Sequence, residues 1–481
     1  MNDIEILRII SKYNPWWTGN KIPKAKTLDY RRRFFYTLMH EIDTNKIVAV
    51  LGPRRVGKTV LIYQVIEQLL RDKVSPENII YVSLDDTELK RESIKINNIL
   101  ETYYRLILKK PFDESKETVY VFLDEIQGVE DWHKTLKNVW DLKYNIKFFV
   151  SGSSSMALSK GAMESLLGRI NLYVILPFKF TEILEYKKIL ELKRTEFIAL
   201  RKAFVNSLVK SEPKSLFNEF SNILGRVVPI KDKIVLALNN YFVIGGYPEF
   251  LESDNDYLAI NQNIQEKIRF TFYQDIIKFY KLRNALVLDE LFSMIASSSG
   301  SKTSINKTAQ DLDIQRPTLK NYLQHLKDIF LISDTEFYSK SRRTRAHKNR
   351  KFYVIDTGIR NSSVGMLDDS ILNDQKEIGS IVECFAFDCL MRLKFNLEPS
   401  PSPKLFHWNN RKEVDFVFEL KKHIVPIEVK YSNSISKDDI APIEEFMKEF
   451  KTNFGIILSK DVFELRGNIL ILPIWLFALM V

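Results

Sequence analysis

Cysteine is nearly missing from this chain of 481 residues, which has only Cys384 and Cys389. On a helix that spacing sends the two side chains to different faces, so no bridge is expected between them, and a reducing compartment follows. Histidine is sparse as well, with six residues, no close pair and no Cys-x-x-Cys beside them, so a zinc site has no ligands to draw on. No apolar run is long enough for a bilayer: the longest, Ile469 to Val481, is broken by Pro473 and reads as a last buried strand or helix. No basic-then-apolar segment opens the chain, and a cytoplasmic protein is expected.

What is present is an ordinary folded composition, 45% hydrophobic and 27% charged, long enough for two to four domains with sizeable cores. The net charge of +10 is unevenly spread. Between Ser339 and Lys351 stand Lys340, Arg342, Arg343, Arg345, Lys348, Arg350 and Lys351 with no acid among them, which points to a local anionic partner.

The apolar run Ile47 to Leu51 leads into GPRRVGKT, Gly52 to Thr59, and then into a helical period carried by Leu61, Ile62, Val65, Ile66, Leu69 and Leu70. Strand, glycine-rich loop and helix in that order form the context of a P-loop. Gly52, Pro53, Arg54, Arg55, Val56, Gly57, Lys58, Thr59 and Val60 are expected to bind nucleotide. Backbone N–H groups wrap the phosphates at a helix N-terminus, Lys58 reaches the β/γ oxygens, and the Thr59 hydroxyl serves Mg²⁺.

Further β-rich runs alternate with helical stretches: Ile79 to Leu84, Val119 to Leu123, Ile146 to Val150 and Leu172 to Leu176. Such alternation predicts a parallel sheet with helices on both faces. The third run of the five ends in Asp124-Glu125, the Walker B pattern, with Asp124 expected to hold Mg²⁺ through water and Glu125 to polarise the attacking water. The alternative is two acids at a strand's exposed end. No NKxD motif is present, so ATP is preferred to GTP. In Ser151 to Ser155 a hydroxyl, assigned to Ser153, is in position to sense the γ-phosphate, or the run is a serine-rich turn. Arg169, in Leu167-Gly168-Arg169, either stabilises charge on the γ-phosphoryl group of its own or a neighbouring subunit, or is a surface arginine after a helix-ending glycine.

GPRRVGKT, FLDEIQ, SGSSS, LLGR and the later GGYPE together resemble the AAA-type ATPases of bacteria and archaea that are related to the STAND signalling NTPases and carry a C-terminal domain of unknown function. That resemblance covers nearly the whole chain. It implies an arginine finger at Arg169 and a GxP turn at Gly246-Tyr247-Pro248, with Tyr247 and Pro248 touching adenine. From the residues alone, GGYP is a turn.

Residues 178–283 are helical in pattern and suit a lid. Ile305 to Leu312 and Pro317 to Leu326, around the tight connection Asp313 to Arg316, predict a helix-turn-helix. Leu319, Tyr322, Leu323 and Leu326 form its inward face, while Arg316, Thr318, Lys320, Asn321 and Gln324 point out. Strands at Ile329–Ile332 and Lys351–Ile355 on either side of the basic stretch then make a wing with a cationic tip, for DNA phosphates or for a protein surface.

The C-terminal part has its own polar constellation. Glu383 lies on a helix, Asp415 in EVDFVF and Glu428-Val429-Lys430 in PIEVKYS, where strand alternation puts Glu428 and Lys430 on one face. The set resembles the PD-(D/E)xK nuclease fold, although Val414 stands where the motif has proline. By that resemblance Asp415 and Glu428 bind Mg²⁺, Lys430 orients the water and Glu383 supports them, unless the fold is kept only for binding.

The expected architecture is therefore α/β: a P-loop core with its lead-in (1–177), a helical lid (178–283), a winged helix-turn-helix (284–351) and a nuclease-like domain (352–481). The expected function is ATP binding and hydrolysis with Mg²⁺, directed at DNA. An ATP-gated regulator that binds DNA or protein through a silent nuclease fold is the alternative, and a second copy of the chain or another protein is left open as partner. No membrane is expected.

Overall fold

The structure is a computed structural model. It describes residues 2–152, 162–252, 256–272, 276, 285–397 and 403–481. The chain forms two compact units, one of Met1–Leu176 with Asp328–Phe330, the other of Pro177–Lys327 with Leu331–Val481.

The first unit is built on a five-stranded sheet: β1 (Ile47–Leu51), β2 (Ile79–Ser83), β3 (Val119–Asp124), β4 (Ile146–Gly152) and β5 (Ile170–Val174), in the order β2-β3-β4-β1-β5. Every pairing is parallel. The central strands are continuous apolar runs because helices cover both faces. Leu51, Val82, Leu123 and Val150 are buried in one core with Ile99, Tyr103 and Leu136 from the helices. The fifth strand starts two residues before the apolar run that announces it, at Ile170-Asn171. As an edge strand half open to solvent, it tolerates an asparagine that a central strand would not.

The other edge is closed by the lead-in. Asn14 donates to Tyr81 O and accepts from Tyr81 N–H, both at 2.7 Å, while the indole N–H groups of Trp16 and Trp17 both donate to Ile79 O at 3.0 and 2.9 Å. A bare strand edge invites intermolecular pairing, and these side chains occupy it.

The second unit contains a nine-stranded sheet: β6 (Lys302–Thr303), β7 (Ile332–Phe337), β8 (Arg350–Val354), β9 (Lys404–Asn409), β10 (Glu413–Leu420), β11 (His423–Lys430), β12 (Gly455–Ser459), β13 (Glu464–Arg466) and β14 (Ile469–Pro473). Its order is β13-β14-β12-β11-β10-β9-β7-β8-β6. Residues 351 and 352 both lie inside β8, and β7 pairs with β9 through Glu336 and Phe337, so the strands around the basic stretch are continuous with the C-terminal sheet. The apolar run from Ile469 is buried throughout, as strand β14 followed by a helical turn.

Helix Lys231–Ile244 belongs to the same unit, tied to the short helix Thr357–Ser363 that follows β8. Thr357 donates to Tyr241 O at 2.7 Å, and Asn361 donates to Phe242 O and Val243 O at 2.8 and 2.9 Å. The GGYP turn is fixed there too, since Gly246 N–H donates to the buried Asp356 carboxylate at 2.8 Å. A Cβ on Gly245 would sit 2.2 Å from that same carboxylate, which requires glycine at this point.

Candidate functional site

The loop from Gly52 to Gly57 leaves the C-terminal end of β1 and enters helix Lys58–Arg71. Two glycines are obligatory. A Cβ on Gly52 would lie 1.9 Å from Ile175 O, and Gly57 caps the helix at φ 95°, a left-handed conformation that side chains disfavour. The Lys58 ammonium is buried and folded back on its own loop, donating to Gly52 O and Pro53 O at 2.9 Å each. Arg54, Arg55 and Val56 complete the loop, and Val60 lies in the helix's first turn, partly buried.

Thr59 and Asp124 meet, with the hydroxyl donating to the carboxylate at 2.6 Å. Asp124 also accepts from Tyr81 OH at 2.8 Å and from the Ser151 hydroxyl. Neither partner is announced by a motif. Tyr81 is in range because β2 lies beside β3, and Ser151 because β4 lies on its other side, a strand order that a linear sequence does not display. Ser151 also accepts from Glu125 N–H at 3.3 Å. It is the first serine of the run from which Ser153 is singled out; Ser153 itself lies outside the described residues.

Glu125 sits at φ 56°, ψ 48°, a left-handed conformation that costs a non-glycine residue about 1–3 kcal/mol and gathers at functional sites. Its carboxylate accepts from the Gln127 amide. Burial pushes the Glu125 carboxyl above its usual range, and the nearby Asp124 adds to the rise, while the Lys58 ammonium pulls it down.

Arg32, a member of the basic run Arg31 to Arg33, is buried at 7% exposure. Its guanidinium donates to Val56 O in the loop at 3.0 Å and to Leu176 O just past β5 at 3.1 Å. Residue type gave no sign of this, since Arg31 and Arg33 flank it and only one of the three turns inward.

Arg169 stands at the other end of the sheet. Its carbonyl accepts from Ile47 N–H at 2.8 Å, at the start of β1, so the strand's length separates it from Gly52, roughly 16 Å at about 3.3 Å per residue. Its guanidinium pairs with Asp141 at 2.9 Å and lies 5.1 Å over the Trp140 ring. That distance excludes the P-loop of its own chain, and the Asp141 and Trp140 partners agree with the reading of a surface arginine after a helix-ending glycine.

In the second unit, Tyr247 is buried, its ring centroid 6.4 Å from that of Phe250, and Pro248 opens the short helical turn that follows. Helices Ile305–Asp311 and Arg316–Asp328 form as expected, with Leu319, Tyr322, Leu323 and Leu326 buried and Arg316, Lys320 and Asn321 exposed. The basic stretch divides. Arg342 and Arg343 are exposed on a short helix, Arg342–His347; Arg345 lies 4.6 Å over the Phe406 ring; Arg350 pairs with Asp334 at 2.5 Å and Glu336 at 2.6 Å; and Lys351 is buried.

The C-terminal constellation does assemble. A bulge between Val414 and Val417 interrupts the β9–β10 pairing around Asp415. Asp415 N–H donates to Glu428 at 3.3 Å, Val429 N–H donates to Asp415 at 3.0 Å, and Lys430 pairs with Glu428 at 3.0 Å. Glu383, from helix Gln375–Asn396, accepts from Tyr353 OH at 2.9 Å. Burial, then the neighbouring Asp415, pushes the Glu383 carboxyl up to about 7, and the same two causes raise Glu428 well above its ordinary value. Sequence reasoning missed two members of this group. Lys351 reaches Glu413 at 2.7 Å and Glu383 at 3.2 Å, with Asp415 at 3.6 Å. Burial works against ionisation of Glu413, yet Lys351 brings it down to about 2. Among the described residues no three His, Cys, Asp or Glu side chains are placed to hold one metal ion. The Asp415–Glu428 pair, engaged by ammonium and amide donors, therefore does not fit a divalent cation in this arrangement.

Residues 44–184 match a family model described as an AAA domain, while 236–370 and 378–477 match two domains of unknown function. An uncharacterized protein of Methanocaldococcus jannaschii is 27% identical over 90% of this chain and 88% of its own. Among solved structures, a Walker-type ATPase of Pyrococcus abyssi aligns with 72% of this chain and 99% of its own at 15% identity and a TM-score of 0.40. The ORC2 protein of Aeropyrum pernix aligns with 77% and 97% at 14% identity and a TM-score of 0.35. The parallel sheet, the loop after β1 and the AAA-domain match give the first unit an AAA-type P-loop NTPase core. No helix among the described residues is long and apolar enough to cross a membrane.

Proposed function

We propose that the protein binds and hydrolyses ATP at the Gly52–Thr59 loop and uses that cycle to govern DNA binding by its second unit. The observation that carries the first half is the meeting of Thr59 with Asp124 at 2.6 Å beside the buried Lys58 ammonium. Two oxygens suited to a divalent cation and one cation suited to phosphate occupy one end of the sheet, where the loop opens.

In this reading Lys58 leaves Gly52 O and Pro53 O for the β/γ-phosphate oxygens, exchanging neutral acceptors for charged ones, a stronger hydrogen bond. Thr59 and Asp124 are the residues that would hold Mg²⁺, which when bound neutralises phosphate charge. Glu125 orients the attacking water and takes its proton as the water oxygen bonds to the γ-phosphorus and the β–γ bridging oxygen departs. Tyr81 and Ser151 keep Asp124 oriented by donating to it. Arg169 acts in the site of a neighbouring copy, and Ser153 senses the γ-phosphate. ATP, and not GTP, is the nucleotide, in keeping with the missing NKxD motif.

For DNA, the exposed Arg316, Lys320 and Asn321 of the second helix suit a groove, and the exposed Arg342 and Arg343 suit the backbone. This is the winged-helix reading, with β7 and β8 as the wing. The C-terminal sheet with Glu383, Asp415, Glu428 and Lys430 is read as a nuclease-like fold. Of its two uses, cutting and binding, the ammonium partners of its carboxylates favour binding.

The test measures ATP affinity and turnover together. Lys58→Ala is expected to lose binding, and Glu125→Gln to keep binding and lose turnover, because Lys58 contacts phosphate in the ground state while Glu125 acts only on the reacting water. Turnover by Glu125→Gln at the parent rate would remove the general-base assignment.

A further inference from the structure

Lys351 is 2% exposed, and a buried ammonium persists only where carboxylates match it closely. Three do so from two elements of the second unit: Glu413 and Asp415 on β10, at 2.7 and 3.6 Å, and Glu383 on helix Gln375–Asn396 at 3.2 Å. Tyr353, two residues along β8 and so on the same face, donates to the same Glu383 oxygen at 2.9 Å. Gly300 is the wall behind, since a Cβ there would lie 2.9 Å from the Glu383 carboxylate. The next acid along, Glu428, has its own ammonium, Lys430. The remaining Asp415 oxygen accepts from Val429 N–H.

We propose that Lys351, in place of a divalent metal, is the resident cation of Glu383, Glu413 and Asp415. This deepens the reading of the C-terminal sheet as a nuclease-like fold that binds without cutting, and rests on that reading. Magnesium demands near-octahedral oxygen geometry at about 2.0–2.1 Å and parts with its waters reluctantly. The oxygens that would supply that geometry are committed to an ammonium, and a divalent ion beside Asp415 would be held close to both Lys351 and Lys430. Lys351 thus does electrostatically what a metal does in folding, neutralising converging acids, but offers no open position where a water could be ionised for attack. Cleavage of a phosphodiester therefore lacks its nucleophile at this site.

The experiment is a Mn²⁺ titration of the full chain without nucleotide, followed by the electron paramagnetic resonance of free Mn²⁺. The parent protein is expected to show no Mn²⁺ binding that depends on Asp415. Lys351→Met, which keeps the stem and removes the charge, is expected to gain a site at least tenfold tighter than any in the parent, and the added change Asp415→Asn is expected to abolish it. Asp415-dependent Mn²⁺ binding by the parent overturns the proposal. So does a folded Lys351→Met that binds no Mn²⁺, because the ammonium is then not what excludes the ion. Should Lys351→Met fail to fold, the comparison of the parent with Asp415→Asn decides alone: equal Mn²⁺ binding supports the proposal, and a loss overturns it. Failure of the ATPase reading is measured separately with Lys58→Ala and leaves this result standing.

Discussion

Replacing Arg32 with alanine tests whether the lead-in merely covers the first unit or builds its nucleotide site. The guanidinium donates to two backbone carbonyls, Val56 O and Leu176 O, from a position almost closed to water. Hydrogen bonds involving a charged group contribute about 1.5–3 kcal/mol each, so the two together amount to ~3–6 kcal/mol. Water entering the vacated space recovers part of that, which sets the expectation near ~3 kcal/mol. At about 2–4 °C per kcal/mol for a unit of this size, the transition of the first unit should fall by roughly 6–12 °C, read by circular dichroism or calorimetry on the full chain. Because one of the two carbonyls belongs to the phosphate loop, affinity for a non-hydrolysable ATP analogue should also fall by roughly tenfold, equivalent to about 1.4 kcal/mol of loop misplacement. Arg32→Lys should recover only part of either loss, since a point-like ammonium does not span two acceptors as the planar fork does. A variant with unchanged melting and unchanged nucleotide affinity would refute the reasoning: the two hydrogen bonds would then contribute nothing that water does not supply.

The acid limb of ATP turnover should lie above the ordinary carboxylate range, because burial raises Glu125 and only its ionised form accepts the proton; activity then falls as pH drops through that raised value, and a limb at the position of a free glutamate in a pH–rate profile would contradict the assignment. Mixing Lys58→Ala with Arg169→Ala should restore ATPase activity that neither has alone, since each copy supplies what the other lacks; no recovery at any ratio would rule out action on a neighbouring copy. Replacing Arg342 and Arg343 with alanine should weaken duplex binding uniformly across sequences and lower the salt slope by about 0.9 for each phosphate no longer neutralised, whereas an unchanged slope in a salt titration would turn that helix toward protein or solvent. Plasmid incubated with the parent and Mn²⁺ should show no nicking beyond the Lys430→Ala control, and cleavage above that control would restore the cutting reading.

The placing of the glycine-rich loop after β1 and of two acids at the end of β3 was legible because each needs only a strand, a turn and a few consecutive residues. The groups that complete the site were not. Tyr81 and Ser151 reach Asp124 from strands on either side of it, 43 residues before and 27 after. Nothing in either segment marks that role, because it follows from the strand order and not from residue type. Arg32 differs from Arg31 and Arg33 only in the direction it faces as its helix begins. Arg169 was placed by its neighbours Leu167 and Gly168, which say that a helix has ended but not which end of the sheet comes next.

The basic stretch shows where a count of charges stops being informative. Read as composition, Ser339 to Lys351 is one cationic segment and its charges are equivalent. Read as structure, it crosses from an exposed helix into a buried strand, and the charges separate by the acids available to them. Arg342 and Arg343 remain exposed, Arg350 is matched by Asp334 and Glu336 on the neighbouring strand, and Lys351 turns inward. A signal for the last step was present: β8 reads Arg350-Lys351-Phe352-Tyr353-Val354, and with a period of two Lys351 shares a face with Tyr353. An ammonium and a phenol on one buried face both require acceptors, and the acids in EVDFVF and on the preceding helix are the nearest in the same unit. Strand alternation carried one residue back past Phe352 would have detached Lys351 from the phosphate-binding charges and assigned it to the carboxylates, which is where the question of cutting is decided.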